Sequence, residues 1–570
     1  MDPSNSVIVI ESPNKAAKFK HCTGAKIIAT VGHFKDIPAA SLGVDLKTYM
    51  PTFRISPGRS SVVNELRKCQ GKEVYIATDP DREGFAIATH VYSVVRTLAK
   101  KIYRVEVREI TEKGIREALA AAIPFEKANM GVFDAFLGRR VGDRLIGYML
   151  SPDVSNSLKA VYTVGRVQSP GLRLVVDREM EIDKYTTTPY YQIRLKLKKS
   201  NQEFIALHEN GNIKDRKIAE TLKNKIDAVK WVAKVLAIEK QLISRPPKGP
   251  FTTATLQQAA CNRLKVTTDK TMELAQGLFE KGLITYHRTD SQRLSIEFIQ
   301  EIQSHVKAEY GARYCPDQPL NYKSKNSQSE AHEGIRQTVV HKMEEIPGKI
   351  KNSGLGPEHE EIYKLICSRT MACQMTKAEY EMKTVKIEYG GEIFKASGTI
   401  QKFDGWAKLY EDITENDEGD NKSLPAMAQG ENVEVKGIEM LERETKPPRR
   451  YTEATLVKEL DRRGIGRPST YATILKGLKS RRYLIIEKGS LVPTNEGRSL
   501  VACLKEKHPW VIDYNLTKSM EEYLDKVQEN RANWRDFAKS LHKQIGFAEP
   551  PAWKVGKTKI RGKGNGKRAS

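Results

Sequence analysis

In the stretch KGLITYHRTDS, residues 281–291, a tyrosine stands beside a histidine and two residues before an arginine. A phenol with its ordinary pKa near 10 is idle at neutral pH. It becomes a nucleophile when cations stabilise both the phenolate and the charge that builds on a phosphate under attack, and Arg288 is spaced to reach the same side as Tyr286 in an extended turn. The bland alternative is that Tyr286, following Leu-Ile-Thr, is a packed core aromatic. His287 reads as a surface residue with no chemistry assigned, while His332 in SEAHEGIR is a candidate to bond a phosphate or shuttle a proton.

A second group of residues is acidic. In DPDREG, Asp79 and Asp81 lie two apart just past a strand, so both carboxylates point the same way, and Glu83 opens the following helix. Glu11 ends another strand in VIVIESPNK. If the two strands are neighbours, four carboxylates converge, and like charges so close raise one another's pKa unless a cation sits among them. Mg²⁺, which prefers oxygen ligands, is the natural resident. Lys15, four residues after Glu11, is a point charge for a phosphate or a departing oxygen. The alternative is an acidic loop held by surface ion pairs.

These groups need a scaffold. VIVI (7–10) and VYIAT (74–78) each run into polar residues and then a helical pattern, which is α/β logic with a site at the strand ends. Residues 131–183 read as helical and basic. QIRLKLKKS, EFIALHE and the segment 379–398 alternate as strands, so one β-rich region is interrupted by a helical insertion that holds Tyr286. The expected division is 1–130 (α/β, with a part near 36–60 that could count with the helices), 131–185 (helical), 186–249 (β), 250–372 (the insertion), 373–447 (β), 448–545 (helical) and 546–570 (a basic disordered tail). No repeat of fixed period is visible.

A net charge of +24 on 570 residues implies a polyanionic partner, because a basic cleft concentrates and orients a phosphate backbone. Candidates for that surface are Arg139, Arg140 and Arg144 in GRRVGDRLIGY, Arg166 and Gln168 in VGRVQSP, and Arg467, Ser469 and Thr470 in GIGRPSTYATI, where Ser469 or Thr470 could cap the next helix. Each could equally be a turn or a solvated helix face. Tyr148, Tyr162, Tyr471 and Tyr483 lie in basic regions but are read as core. Seven scattered cysteines, none in CxxC spacing, read as reduced thiols and exclude a disulfide frame or structural zinc. There is no run of about 18 apolar residues and no secretory layout at the N-terminus, so a protein inside the cell is expected.

Together these segments resemble the type IA DNA topoisomerases. VIVIESPNKA and YIATDPDREG look like the two halves of a Toprim site, and VGHFKDIP, RRVGDRLIGYMLSP, VGRVQSPGLRLVVDRE, LITYHRTDS, EAHEGIR, GIGRPSTYATIL and MEEYLDKVQENRANW follow in the family's order over about residues 5–545. The resemblance implies a multidomain torus: an α/β Toprim domain, a helical DNA-binding domain, a β-rich arch and a helical gate domain. It implies Tyr286 as nucleophile with Arg288, Lys15, His332 and Glu11 as catalytic partners. Glu11, Asp79, Asp81 and Glu83 become the Mg²⁺ ligands, and His33, Arg139, Arg140, Arg144, Arg166, Gln168, Arg467, Ser469 and Thr470 the DNA contacts.

The implied reaction is ATP-independent relaxation of negatively supercoiled DNA through a 5′-phosphotyrosyl intermediate, strand passage and religation. A single-stranded segment would be cleaved within a supercoiled duplex, by a monomer in the cytoplasm, associated with the nucleoid. The chain's size would suit an accessory or mobile-element enzyme. DREGF replaces the family's usual DREGE, with Phe85 in the last place, which lowers the charge near the metal. His287 stands where Met or Pro is common. The zinc ribbons often found beyond the torus are expected to be absent, which predicts less processive relaxation. GIGRPSTYATIL and MEEYLDKV lean to bacterial topoisomerase I, DPDREG to the decatenating topoisomerase III. A Toprim nuclease or primase, leaving free ends, and an inactive DNA-binding protein are the remaining readings.

Overall fold

The computed structural model describes residues 1–228, 232–323, 332–410 and 423–555. From residue 556 onward the expected basic tail lies outside the described residues. The N-terminal sheet has five strands in the order Lys26–Ala29, Ser6–Ile10, Glu73–Ile76, Lys101–Arg104 and Ile123–Pro124, the first four parallel and the last antiparallel. Ser6–Ile10 is buried along its whole length, as expected of a parallel strand covered on both faces. Its neighbours on either side, Lys26–Ala29 and Glu73–Ile76, are reached by connections that leave in opposite directions. The crevice at the strands' carboxyl ends is therefore a topological switch point, and Glu11 and Asp79 flank it. The second strand ends at Ile76, earlier than the 74–78 expected: Ala77 still donates to the Val9 carbonyl at 2.7 Å, and the chain then turns into the acidic loop.

The strand-rich pieces close into one six-stranded antiparallel barrel in the order Val232–Arg245, Ala378–Tyr389, Glu392–Phe403, Gln202–His208, Pro189–Lys199 and Asn432–Glu444. Alternate residues such as Ile193, Leu195, Leu197, Phe394, Val433 and Val435 fill its core. A helical core is built by Gly131–Leu158, Gln168–Asp183 and the helices from Glu453 to Ile545. In the long first helix, Gly138 and Gly142 face Leu524, Trp534 and Phe537 so closely that a Cβ at either would press on those side chains. Val44 buries its side chain in this same core, with Leu42, Leu46, Tyr49 and Phe53 against it.

The insertion carries Thr253–Ala259, a π-helical turn Ala260–Leu264, and the helices Thr268–Glu280, Ile296–Tyr310, Ile346–Asn352 and Pro357–Ala372. Its core is continuous with one face of the parallel sheet, from Ile8, Ile10 and Tyr75 to Leu278, Phe279 and Ile284. The sequence shows no fixed period, yet the fold contains one pair of matching units 200 residues apart. Phe251-Thr-Thr-Ala-Thr-Leu256 and Tyr451-Thr-Glu-Ala-Thr-Leu456 each start a helix with the same capping box, Thr252 with Thr255 and Thr452 with Thr455. A second helix follows in each, Thr268–Glu280 and Tyr471–Ser480, and the first helices of the two units pack on one another, as do the second ones.

Candidate active site

The acidic loop is shaped before any ligand arrives. Asp81 caps the helix Arg82–Val95, its Oδ1 accepting the Gly84 N–H at 2.8 Å. Gly84 is required there, since a Cβ would lie 2.2 Å from the Asp79 carbonyl oxygen. Arg104, at the end of the neighbouring strand, is buried and donates to the carbonyls of Ile76 (3.3 Å), Thr78 (2.9 Å) and Asp79 (3.0 Å), so it holds the loop from behind. Sequence reasoning missed Arg104; the available signal was an arginine ending the strand after the acidic one, in KIYRVEV. Phe85 is buried beneath that guanidinium, 5.6 Å from ring centroid to Cζ, and stacks near Phe125. On the opposite flank, Val31 sits at φ 56°, a left-handed conformation rare for a β-branched residue, as the chain leaves Thr30 for His33.

The tyrosine is delivered from 205 residues away. The Tyr286 hydroxyl donates to Asp81 Oδ2 at 2.6 Å, and Arg288 Nη1 donates to the same oxygen at 3.3 Å. The Tyr286 N–H donates to the Arg108 carbonyl at 2.9 Å, while Thr253 Oγ1 binds the carbonyls of His287 (2.8 Å) and Thr289 (3.1 Å). The segment carrying Tyr286 is thus stitched to the loop after Lys101–Arg104 on one side and to the helix Thr253–Ala259 on the other. Tyr286 is 3% exposed, so it is both a packed aromatic and a partner of the acidic loop. His287 departs from expectation: it is fully buried against Phe279, with neither ring nitrogen hydrogen-bonded among the described residues. Burial, with Arg288 and Lys15 adding to it, holds the His287 imidazole neutral.

The two strands are neighbours and bring Glu11 close to Asp79 and Asp81, but most of the four carboxylates are already paired. Lys15, 2% exposed, pairs with Asp79 and lies over the Phe279 ring. Asp81 is held by Tyr286 and Arg288. Glu83 turns to His33 Nε2 at 2.9 Å and to Arg139. Among the described residues no group of three such side chains stands as a ready metal cage. Glu11 is the exception, with no side-chain hydrogen bond or ion pair among the described residues. Burial and the nearby Asp79 and Asp81 push its carboxyl up to about 7, against the pull of Lys15 and Arg288. An all-oxygen set with one carboxylate left uncompensated fits a hard divalent cation. A cavity of about 510 Å³ opens onto Glu11 and Asp79, bounded by Arg288 and the helix Thr268–Glu280.

Electrostatics also sets the resting state of the tyrosine. Burial and the charges of Asp81 and Asp79 push the Tyr286 phenol well above 10, with Arg288 opposing. Burial would raise the Asp81 carboxyl too, but Arg288, the Gly84 N–H and the Tyr286 hydroxyl outweigh it and hold Asp81 below its ordinary value. The phenol is therefore protonated and parked on an ionised carboxylate. His332 is kept neutral by burial and by Arg108.

A groove of about 420 Å³ gathers Asp81, Glu83, Arg139, Arg288, His332, Arg467, Ser469 and Thr470. A cavity of about 930 Å³ continues from it past Tyr286, His332 and Arg108. The other predicted contacts lie elsewhere. Arg140 pairs with Asp36 at 2.6 Å. Arg144 is buried, its guanidinium spent on the carbonyls of Ile37, Pro38 and Ser41, so it shapes the 36–41 loop. Arg166 is sealed against Asp143 and Glu521, and Gln168 lies against Gly477. Neither Ser469 nor Thr470 caps the next helix by its side chain: Thr470 Oγ1 instead accepts from the Arg467 N–H at 2.8 Å and closes the turn. Tyr162, Tyr471 and Tyr483 are core, as read. Sequence reasoning also missed Glu521 and Asp525, one helical turn apart in MEEYLDK. Asp525 pairs with Arg82 at 2.7 Å and Arg467 at 2.6 Å.

Known proteins match this chain along nearly all of its length. A Toprim domain family model matches residues 6–110, and a DNA topoisomerase family model matches 127–539. DNA topoisomerase 1 of Aquifex aeolicus is 37% identical over 556 residues, covering 95% of this chain and 98% of the relative. That of Campylobacter jejuni is 35% identical over 562 residues, 94% of this chain and 78% of the relative. The structure of full-length topoisomerase I from Thermotoga maritima superposes with a TM-score of 0.82 at 32% identity, covering 95% of this chain and 89% of that one. With the parallel sheet, closed barrel and helical body already described, these matches show that the chain belongs to the type IA DNA topoisomerases, on the side of the bacterial topoisomerase I enzymes.

Proposed function

We propose that this enzyme relaxes negatively supercoiled DNA without ATP by attack of Tyr286 on a phosphodiester, passage of a strand, and religation. The family membership carries the topoisomerase activity, and the relatives' shared name favours relaxation over the decatenating alternative. What supports Tyr286 is one observation: a buried phenol donating at 2.6 Å to a carboxylate 205 residues distant, beside an arginine on the same oxygen.

In this reading the strand lies along the groove that holds Arg139, Arg467, Ser469 and Thr470 and crosses to the larger cavity at Tyr286. Arg288, about one-third exposed, moves from Asp81 to the phosphate. The phenolic proton passes to the Asp81 carboxylate that already accepts it. The Tyr286 oxygen forms the bond to phosphorus as the 3′ oxygen leaves and takes a proton from Lys15, and religation reverses both transfers. His332 contacts the phosphate. Glu11, Asp79, Asp81 and Glu83 would hold Mg²⁺, which when bound screens phosphate charge and relieves the crowding of carboxylates. His33, Arg140 and Gln168 line the approach of the strand, with Arg144 and Arg166 bracing it. We assign 1–130, 131–185 with 448–545, 186–249 with 373–447, and 250–372 to the Toprim, helical, arch and gate domains of a cytoplasmic monomer. Tyr286→Phe tests the reading: relaxation with Mg²⁺ and no ATP should vanish while single-strand binding remains. Undiminished relaxation would overturn it.

A further inference from the structure

The contact between the two matching helix pairs carries an inference beyond the active-site residues. Thr268 begins the helix that leads to Tyr286, and Thr267 at its N-cap makes no side-chain cap bond. The cap comes from the other unit. Glu453 Oε2 accepts the Thr268 N–H at 2.8 Å and the Thr268 hydroxyl at 3.0 Å, and its second oxygen pairs with Lys479. Lys479 also lies 3.6 Å from Asp269, the next residue of the same helix. In the matching position, Thr253 uses its hydroxyl within its own unit, on the carbonyls of His287 and Thr289. Of the two equivalent positions, one therefore anchors the nucleophile segment and the other reaches across to the partner unit.

We infer that Glu453 is a positioning residue for the reaction: it seats the gate, and so Tyr286, against the acidic loop, and it must let go for the gate to open. The inference rests on reading 250–372 as the gate. Three features fit it. The carboxylate is 8% exposed and satisfied on both oxygens, two of its bonds coming from the gate, so closure is stabilised by charge-assisted bonds. An acid at this helix end also complements the helix dipole. Beside this carboxylate the contact has the Lys479–Asp269 ion pair, and of the gate's first helix only the small Ala254 joins the helical core. At this contact, parting returns charged groups to water, while the larger apolar contact of the gate is the one its Leu278, Phe279 and Ile284 make with the parallel sheet.

The test uses full-length protein with dyes on the exposed faces of the Ile346–Asn352 and Asn495–Lys507 helices, read by energy transfer with and without a single-stranded oligonucleotide and Mg²⁺. Glu453→Ala should raise the open population roughly tenfold, and Thr268→Val, which removes only the hydroxyl bond, roughly two- to threefold. Because religation needs closure, both variants should leave more DNA covalently attached when the reaction is quenched with denaturant, with oligonucleotide binding unchanged. Thr268→Val covers the case in which Glu453→Ala misfolds. If the wild-type dyes separate during relaxation but both folded variants match wild type in open population and adduct, the inference fails while the gate reading stands. Wild-type dyes that never separate would overturn the gate reading and the inference together.

Discussion

Two clusters of ion pairs, both built from arginine and carboxylate, differ in how they are sealed. Arg166 and Glu521 are 2% and 3% exposed, with Arg467 and Arg82 adding charge nearby. At the acidic loop, Arg288 is 34% exposed over Asp81, and His33 and Glu83 are 29% and 27% exposed. The Arg166–Glu521 pair is itself closed to solvent, although Asp143 beside it is 43% exposed and Arg467 next to it reaches the groove. The second is open enough for its protein cations to be exchanged for a phosphate or a metal. A cluster of paired charges marks a site only where the pairs can be broken from the solvent side, and Arg288 meets that condition where the Arg166–Glu521 pair does not.

Breaking the sealed cluster should have the largest effect on stability. Glu521→Ala leaves the buried Arg166 with only the half-exposed Asp143 as its partner, and should cost up to about 3–5 kcal/mol, read as a fall in melting temperature. A loss below about 1 kcal/mol would mean the pair is not sealed. The pH dependence has a defined sign. Burial raises the Glu521 carboxyl, but Arg166 and Arg467 outweigh that and bring it to about 2, below its ordinary 4.5. Its contribution is fully present above pH 4.5 and is lost as the pH falls toward 2, a window that Glu521→Gln should remove.

Breaking the open cluster should instead affect chemistry. Arg288→Ala should lower single-strand cleavage about 10²–10³-fold, by analogy with loss of a donor to a developing charge, while shifting stability by less than about 1 kcal/mol. A large melting shift with cleavage intact would reverse the comparison between the two clusters.

How much of this was legible in the sequence follows from the range of each interaction. Glu11, Asp79 and the strand ends that carry them could be read locally, because a parallel strand pair delivers its loops to one edge. That one β-rich region is interrupted by the insertion could be read from alternation in two distant segments, but not its closure into a barrel, which depends on pairings between strands far apart in the chain. Tyr286 could be nominated from its neighbours, but its bond to Asp81 spans 205 residues and no local pattern encodes it. The roles of Arg104, Arg144 and Glu521 were hidden for the same reason: each is decided by carbonyls or charges from another element. His287 was misread because its polarity suggests the surface, whereas the loop turns it toward Phe279.

The smallest effect concerns another buried histidine. His90 sits among Phe34, Phe53, Phe133 and His33 with neither ring nitrogen bonded among the described residues, and burial, reinforced by His33 and Lys35, lowers it to about 3. Neutral His90 is compatible with the fold above pH 6.5, and the protein loses that stability as the pH falls toward 3. His90→Phe should change stability by less than about 1.5 kcal/mol at pH 7 and should remove part of the acid sensitivity. Identical acid profiles would show that His90 does not titrate with folding.

The central claim is that Tyr286 takes and returns a DNA phosphate beside the acidic loop. Its most direct test is to quench the wild-type reaction on a 5′-labelled and a 3′-labelled single strand in Mg²⁺ and map the protein–DNA adduct by peptide sequencing. The account predicts that the 3′-labelled fragment, which carries the 5′ phosphate, is attached to the peptide containing Tyr286, and that no adduct forms in Tyr286→Phe. An adduct on another residue, or cleaved DNA with both ends free, would contradict it.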